Sequence, residues 1–118
     1  MATATLSDVA RLALALPGVE EIVRFRHRAW RASDVFVWER PYSKADRARE
    51  PVVFDGEIIA LTVTDEGEKR ALIEAEPQYF FTISHFDGYN AVLLRLDSVP
   101  LKRLDEAITE AYQTVTGS

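Results

Sequence analysis

Ser84, His85 and Asp87 lie together in the chain and carry the three groups of a nucleophile, a base and an orienting acid. Their spacing speaks against that use. The base of such a triad meets the nucleophile with one ring nitrogen and the acid with the other, which takes residues from separate parts of a fold. No G-x-S-x-G turn is present either. Metal chemistry is no better supplied. His27 and His85 are the only histidines, neither has a second ligand at helical i, i+4 spacing, and the carboxylates form no D-x-D-x-D-G loop. The absence of cysteine excludes disulfides, thiolate catalysis and cysteine-ligated zinc. The glycines form no phosphate loop. The sequence specifies no reaction, no metal and no cofactor.

Binding chemistry remains. Residues 23–31 read VRFRHRAWR, and the segment from Arg24 to Arg49 sets Arg24, Arg26, Arg28, Arg31, Arg40, Lys44, Arg47 and Arg49 against only Asp34, Glu39 and Asp46. That segment is +5 in a chain whose total is −5, so the remainder carries −10. Such asymmetry makes a dipolar molecule with one face suited to a polyanion. The cations would then meet phosphates, and Trp30, Trp38 or Tyr42 would stack on unpaired bases. The plain alternative is an amphipathic strand whose arginines are solvated or paired with Glu20, Glu21 and Glu39. A second candidate site lies further on. His85-Phe86-Asp87-Gly88-Tyr89 reads as a compact polar-aromatic loop, and Trp38, His85, Asp87 and Tyr89 are the residues expected to line a pocket there.

These groups need a scaffold. At 118 residues, 47% apolar and 28% charged, the chain reads as one globular domain over residues 1–118. No stretch approaches the roughly 20 apolar residues that cross a bilayer. The opening MATATLSDVARLALALPG is interrupted by Asp8 and Arg11 and reads as a first helix, not a signal peptide. The expected location is the cytoplasm, with no membrane partner. In that first helix Val9, Leu12, Ala13 and Leu16 make one apolar stripe, Ser7 is the expected N-cap and Pro17-Gly18 the stop.

From Val19 to Arg31 alternation predicts one half-buried strand, with Arg24, Arg26 and Arg28 about 6–7 Å apart on one face. Val35–Trp38 is a second strand, residues 39–51 a long exposed loop, and Glu57–Val63 a third strand. Asp65 with Glu68 predicts a capped helix, with Glu66 and Arg70 paired along it and Pro77 beyond its end. Tyr79–Ile83 and Ala91–Leu96 are two more strands. A last helix carries Pro100 in its first turn and an apolar stripe of Leu101, Leu104, Ile108, Ala111 and Val115. The order α-β-β-β-α-β-β-α predicts an α+β fold, a two-layer arrangement of an antiparallel sheet with helices.

LALALPGVEE near the start, FVWERPYSKAD in the middle, then EAEPQYFFTISHFDGYNAVLLRLDSV and a closing LDEAITEAY resemble the MmcQ/YjbR family. The blocks fall in the family's order over most of residues 8–112. The resemblance implies that family's two-layer α+β fold, similar to secretion chaperones. It also implies DNA as partner, through a proposed double-wing motif of sheet and loops, and no reaction. Transferred to this chain, the hairpin at residues 24–38 and the loop at 39–49 would be the basic surface. Ser33-Asp34 departs from the Gly-Lys or lysine pair of many relatives and removes a cation at a hairpin tip. Three functions stay open: a DNA-binding domain, a protein-interaction module or homodimer with a chaperone-like fold, and a small-ligand pocket near the His85–Tyr89 loop.

Overall fold

β4 (Ile58–Thr62, IIALT) and β6 (Ala91–Arg95, AVLLR) are apolar at successive positions, so both faces of each strand need cover. A computed structural model, which describes residues 3–117, places them side by side within a six-stranded sheet. Every pairing is antiparallel, in the order β1-β2-β3-β4-β6-β5, with β1 Glu20–Arg24, β2 His27–Arg31, β3 Val35–Glu39 and β5 Phe80–Phe81.

One face carries the helices. α1 (Leu6–Leu14) and α4 (Leu101–Thr116) bury Val9, Ala13, Leu104, Ile108 and Ala111 against Trp30, Val37, Ile59, Leu61, Val92 and Leu94. A bulge helps. Trp30 opposes Val37 but Arg31 opposes Val35, so Phe36 is an extra residue that joins Val37 in the helical core. Its ring meets Tyr112 of α4 edge-on at 5.6 Å. α1 is capped by Thr5, not by the expected Ser7, because the Asp8 carboxylate returns to the Thr5 amide at 2.9 Å and closes a capping box. Asp65 caps α3 (Glu66–Ala75) as expected, but the Glu68 carboxylate reaches one residue further back, to the Thr64 amide at 2.6 Å.

The other face has no long helix. Ile58, Ala60, Ala91 and Leu93 are packed there against Phe81 of β5 and Ile83, Phe86, Tyr42 and Phe54 from outside the strands and long helices. Residues 39–51 are not one exposed loop. They contain a short helix, α2 (Lys44–Arg49), opened by a Ser43–Asp46 capping box that the S-x-x-D spacing announces. The acidic member of that box, Asp46, is 2% exposed.

The strand expected over Val19–Arg31 is a hairpin. Phe25 and Arg26 form a two-residue turn with φ of 52° and 69°, and Arg24 pairs with His27, Val23 with Arg28. Two positive φ values are the pattern of a type I′ turn, for which Asn-Gly is the favoured pair and a bulky pair is strained. The turn also inverts the alternation. Arg28 now shares its face with Val23 and Trp30, while Arg24 lies on the opposite face with His27, so the three arginines do not share one side. Replacing Phe25-Arg26 by Asn-Gly is expected to stabilise the protein by about 1 kcal/mol, read as a raised thermal midpoint.

Candidate nucleic-acid interface and its cavity

The turn ends beside a cavity of about 640 Å³ on the face without long helices. Arg24, Phe25 and His27 form one side, Trp38 to Ser43 another, and His85, Phe86, Tyr89, Asn90 and Ala91 the rest. Three of the four expected pocket residues, Trp38, His85 and Tyr89, thus meet in one place. Asp87 does not join them. It faces a separate cleft with Glu66, Lys69 and Arg70.

Each wall has its own anchor. Trp38 stacks on Phe86 with centroids 6.5 Å apart, and the Arg24 guanidinium lies 5.0 Å from the Trp38 ring. Contact between a guanidinium and an indole face is favourable and leaves the arginine's donors directed outward. Glu39 is held by the Arg28 amide at 3.3 Å and by His27 Nδ1 at 3.5 Å. The Ser84–Tyr89 loop is fastened at both ends. Glu50 accepts from the Ser84 amide and hydroxyl at 3.1 and 2.7 Å, so that hydroxyl is committed away from His85. Lys69 of α3, 2% exposed, donates its ammonium to the Phe86 and Tyr89 carbonyls at 2.7 and 3.2 Å.

The segment between Arg40 and Glu50 depends on Asp46. Burial alone would raise its carboxyl pKa. The Ser43 amide at 2.9 Å, Arg40 at 2.9 Å and the Ser43 hydroxyl together outweigh burial and hold it below the ordinary value of 3.8. Neighbouring Tyr42 is shifted the other way, above the usual phenol value, first by burial and then by Glu50 and Asp46. It stays a neutral phenol, donating to the Val52 carbonyl at 3.3 Å.

The eight cations of the basic segment divide sharply. Arg28 binds Glu21 through two donors at 2.9 and 3.0 Å, and that contact, with Trp30 Nε1, keeps Glu21 ionised below its ordinary range. Arg31 pairs with Glu20 across the strands, Arg40 with Asp46, and Arg47 more loosely with Asp55 at 3.9 Å. Among the described residues, Arg24, Arg26, Lys44 and Arg49 have no carboxylate partner. The Ser33-Asp34 turn lies at the other end of the strands, where the Ser33 hydroxyl donates to the Val115 carbonyl of α4. The cation missing there is therefore not missing from the cavity. Sequence reasoning offered Tyr42 for base stacking but passed over the anchoring roles of Asp46 and Lys69. The capping box could have revealed Asp46; a buried lysine on an otherwise charged helix gives no such signal.

The YjbR family model matches residues 14–114. The uncharacterized protein Rv2570 of Mycobacterium tuberculosis (strain ATCC 25618 / H37Rv) and the uncharacterized protein Mb2600 of Mycobacterium bovis are each 44% identical over 115 residues, covering 92% of this chain and 86% of theirs. The crystal structure of Deinococcus radiodurans protein DR2400, of the DUF419 domain family, matches 97% of this chain and 80% of that one with a TM-score of 0.71. At 20% identity that match shows the shared α+β fold.

Asp46 gives the site a defined acid sensitivity. Its folded pKa lies below the unfolded value, so its stabilisation is complete above pH 3.8 and is lost as pH falls through the lower folded value. Asp46→Asn is expected to lower stability at pH 7 by about 2 kcal/mol, the scale of hydrogen bonds to a charged group. It should also flatten the acid limb of stability against pH, measured by urea unfolding from pH 7 downward.

Proposed function

The chain belongs to the YjbR family, and we propose that it is a nucleic-acid-binding domain whose contact surface is the cavity end of the sheet, not the whole basic segment. The observation that carries this reading is the division of the cations. A guanidinium already bound to a carboxylate must give up that partner to meet a phosphate, so Arg28 and Arg31 contribute little. Arg24 is free of such a partner and lines the cavity, and Arg26 and Lys44 are the chain neighbours of the lining residues Phe25 and Ser43. The aromatics point the same way. Among the described residues Phe25, 86% exposed, and Tyr89, 56% exposed, are large apolar side chains open to solvent, and both border that cavity. Free cations beside exposed rings are the combination that holds a nucleic-acid backbone and its bases.

Fluorescence-anisotropy titration against labelled duplex and single-stranded DNA, across a salt series, tests this. Saturable binding is expected, with a duplex slope of about −0.9 in log K per contacted phosphate and roughly three to six contacts. Arg24→Glu with Arg26→Glu should weaken binding more than tenfold, while Arg31→Gln, at the far end of β2, should change it less than twofold. No binding at about 50 mM salt, where phosphate contacts are strong, would sink the proposal.

A further inference from the structure

We infer that the cavity takes a single unstacked nucleobase, with its phosphate held at the rim by Arg24. The inference rests on the nucleic-acid reading for where that phosphate comes from. A volume of about 640 Å³ lies within the range of about 300–1,000 Å³ spanned by small-ligand pockets. Five flat side chains line it: Trp38, Tyr42, His85, Phe86 and Tyr89, with Phe25 and His27 at the turn. Shape and apolarity call for a planar ring.

The pattern of charge narrows the class. The lining contains a carboxylate, Glu39, whose side chain is only 26% exposed and is held in place by His27 and the Arg28 amide. An ionised carboxylate accepts and cannot donate, so the group placed against it must be a donor. That repels a bare phosphate or polyphosphate and favours the exocyclic amine of a base, as when a carboxylate accepts from cytosine N4. Asn90, exposed at the same cavity, offers both a donor and an acceptor to the remaining ring edge. Arg40 is committed to Asp46, which leaves Arg24 as the lining arginine free for a phosphate. A ring with an amine on one side and an anion on the other is a nucleotide.

The hairpin tip accounts for how such a base would be presented. Phe25 and Arg26 keep strained, positive φ values at a position where Asn-Gly would relax them. Strain of this kind persists where it displays side chains for use. Here it sets an exposed ring and, at Arg26, a guanidinium without a carboxylate partner beside the cavity mouth, suited to stack on the neighbouring base and hold the adjoining phosphate.

The experiment uses the intact chain and four probes: a paired DNA duplex, the same duplex with one bulged cytosine, the same with an abasic bulge, and free dCMP. A bulged base is already unpaired, so its entry into a pocket is the least costly case. Binding of the bulged-cytosine duplex is expected to be about tenfold tighter than that of the other two, the scale of one stacked base. It should also quench Trp38, while Trp30, fully buried on the helical face, is unaffected. Glu39→Gln should remove the advantage and leave paired-duplex affinity unchanged, and Tyr89→Ala should remove the advantage. Trp38→Phe should abolish the optical signal.

Equal affinity for all three duplexes, with unchanged tryptophan emission, overturns the cavity inference and leaves DNA binding standing. Saturable quenching by dCMP without any duplex binding supports the cavity, makes the free nucleotide its source and overturns the nucleic-acid reading. Failure of every probe overturns both.

Discussion

The two-sided apolarity of β4 and β6 is the constraint from which the rest of this structure follows. Strands that bury both faces cannot end a protein at its sheet; something has to lie on each side. α1 and α4 satisfy one side with regular helical stripes. The other side is covered largely by loop residues such as Tyr42, Phe54, Ile83 and Phe86, and loops need individual fastenings because no helical ladder satisfies their polar groups. Asp46 with Arg40, Glu50 with Ser84 and Lys69 with two carbonyls are those fastenings. The cover stops short of the β1–β2 turn, and the uncovered space is the cavity. The candidate site is a consequence of how the second face was closed.

The charge distribution has a similar logic. A segment of net +5 suggests a broad electropositive surface, yet cross-strand pairing on β1–β2 consumes much of it. Glu20 stands opposite Arg31 and pairs with it, while Glu21, opposite Trp30, reaches diagonally to Arg28. What survives lies toward the turn and the start of α2. Net charge by segment overstates a binding surface whenever strand register brings opposite signs together, and register is not visible in a count.

The layered α+β class, α3 and α4 were legible in the sequence because each rests on a periodicity or a local cap, whereas Trp38 and the His85–Tyr89 loop were grouped on residue type alone. Two things were not legible. The hairpin in VRFRHRAWR hides because alternation of apolar and basic residues runs straight through the turn, and Phe25-Arg26 lacks the glycine that marks a left-handed backbone. A two-residue turn inverts the parity of faces, which is why Arg24 and Arg28 part company. The short α2 hides because six residues carry no measurable period and its one buried residue is the carboxylate of Asp46. The S-x-x-D capping box is the one local signal of α2, and the Phe25-Arg26 turn offers none.

Lys69 ties two parts of the molecule that are distant in sequence into one mechanical unit. Its ammonium, anchored in the middle of α3, holds the carbonyls of Phe86 and Tyr89, the residues that wall the cavity. Opening that wall would leave a buried charge without its acceptors, a costly state unless α3 itself lets go. The wall and the helix therefore belong to the same cooperative unit of local unfolding. Their backbone amides should exchange with solvent together, giving the cavity the rigidity of a helix on a face that has almost none.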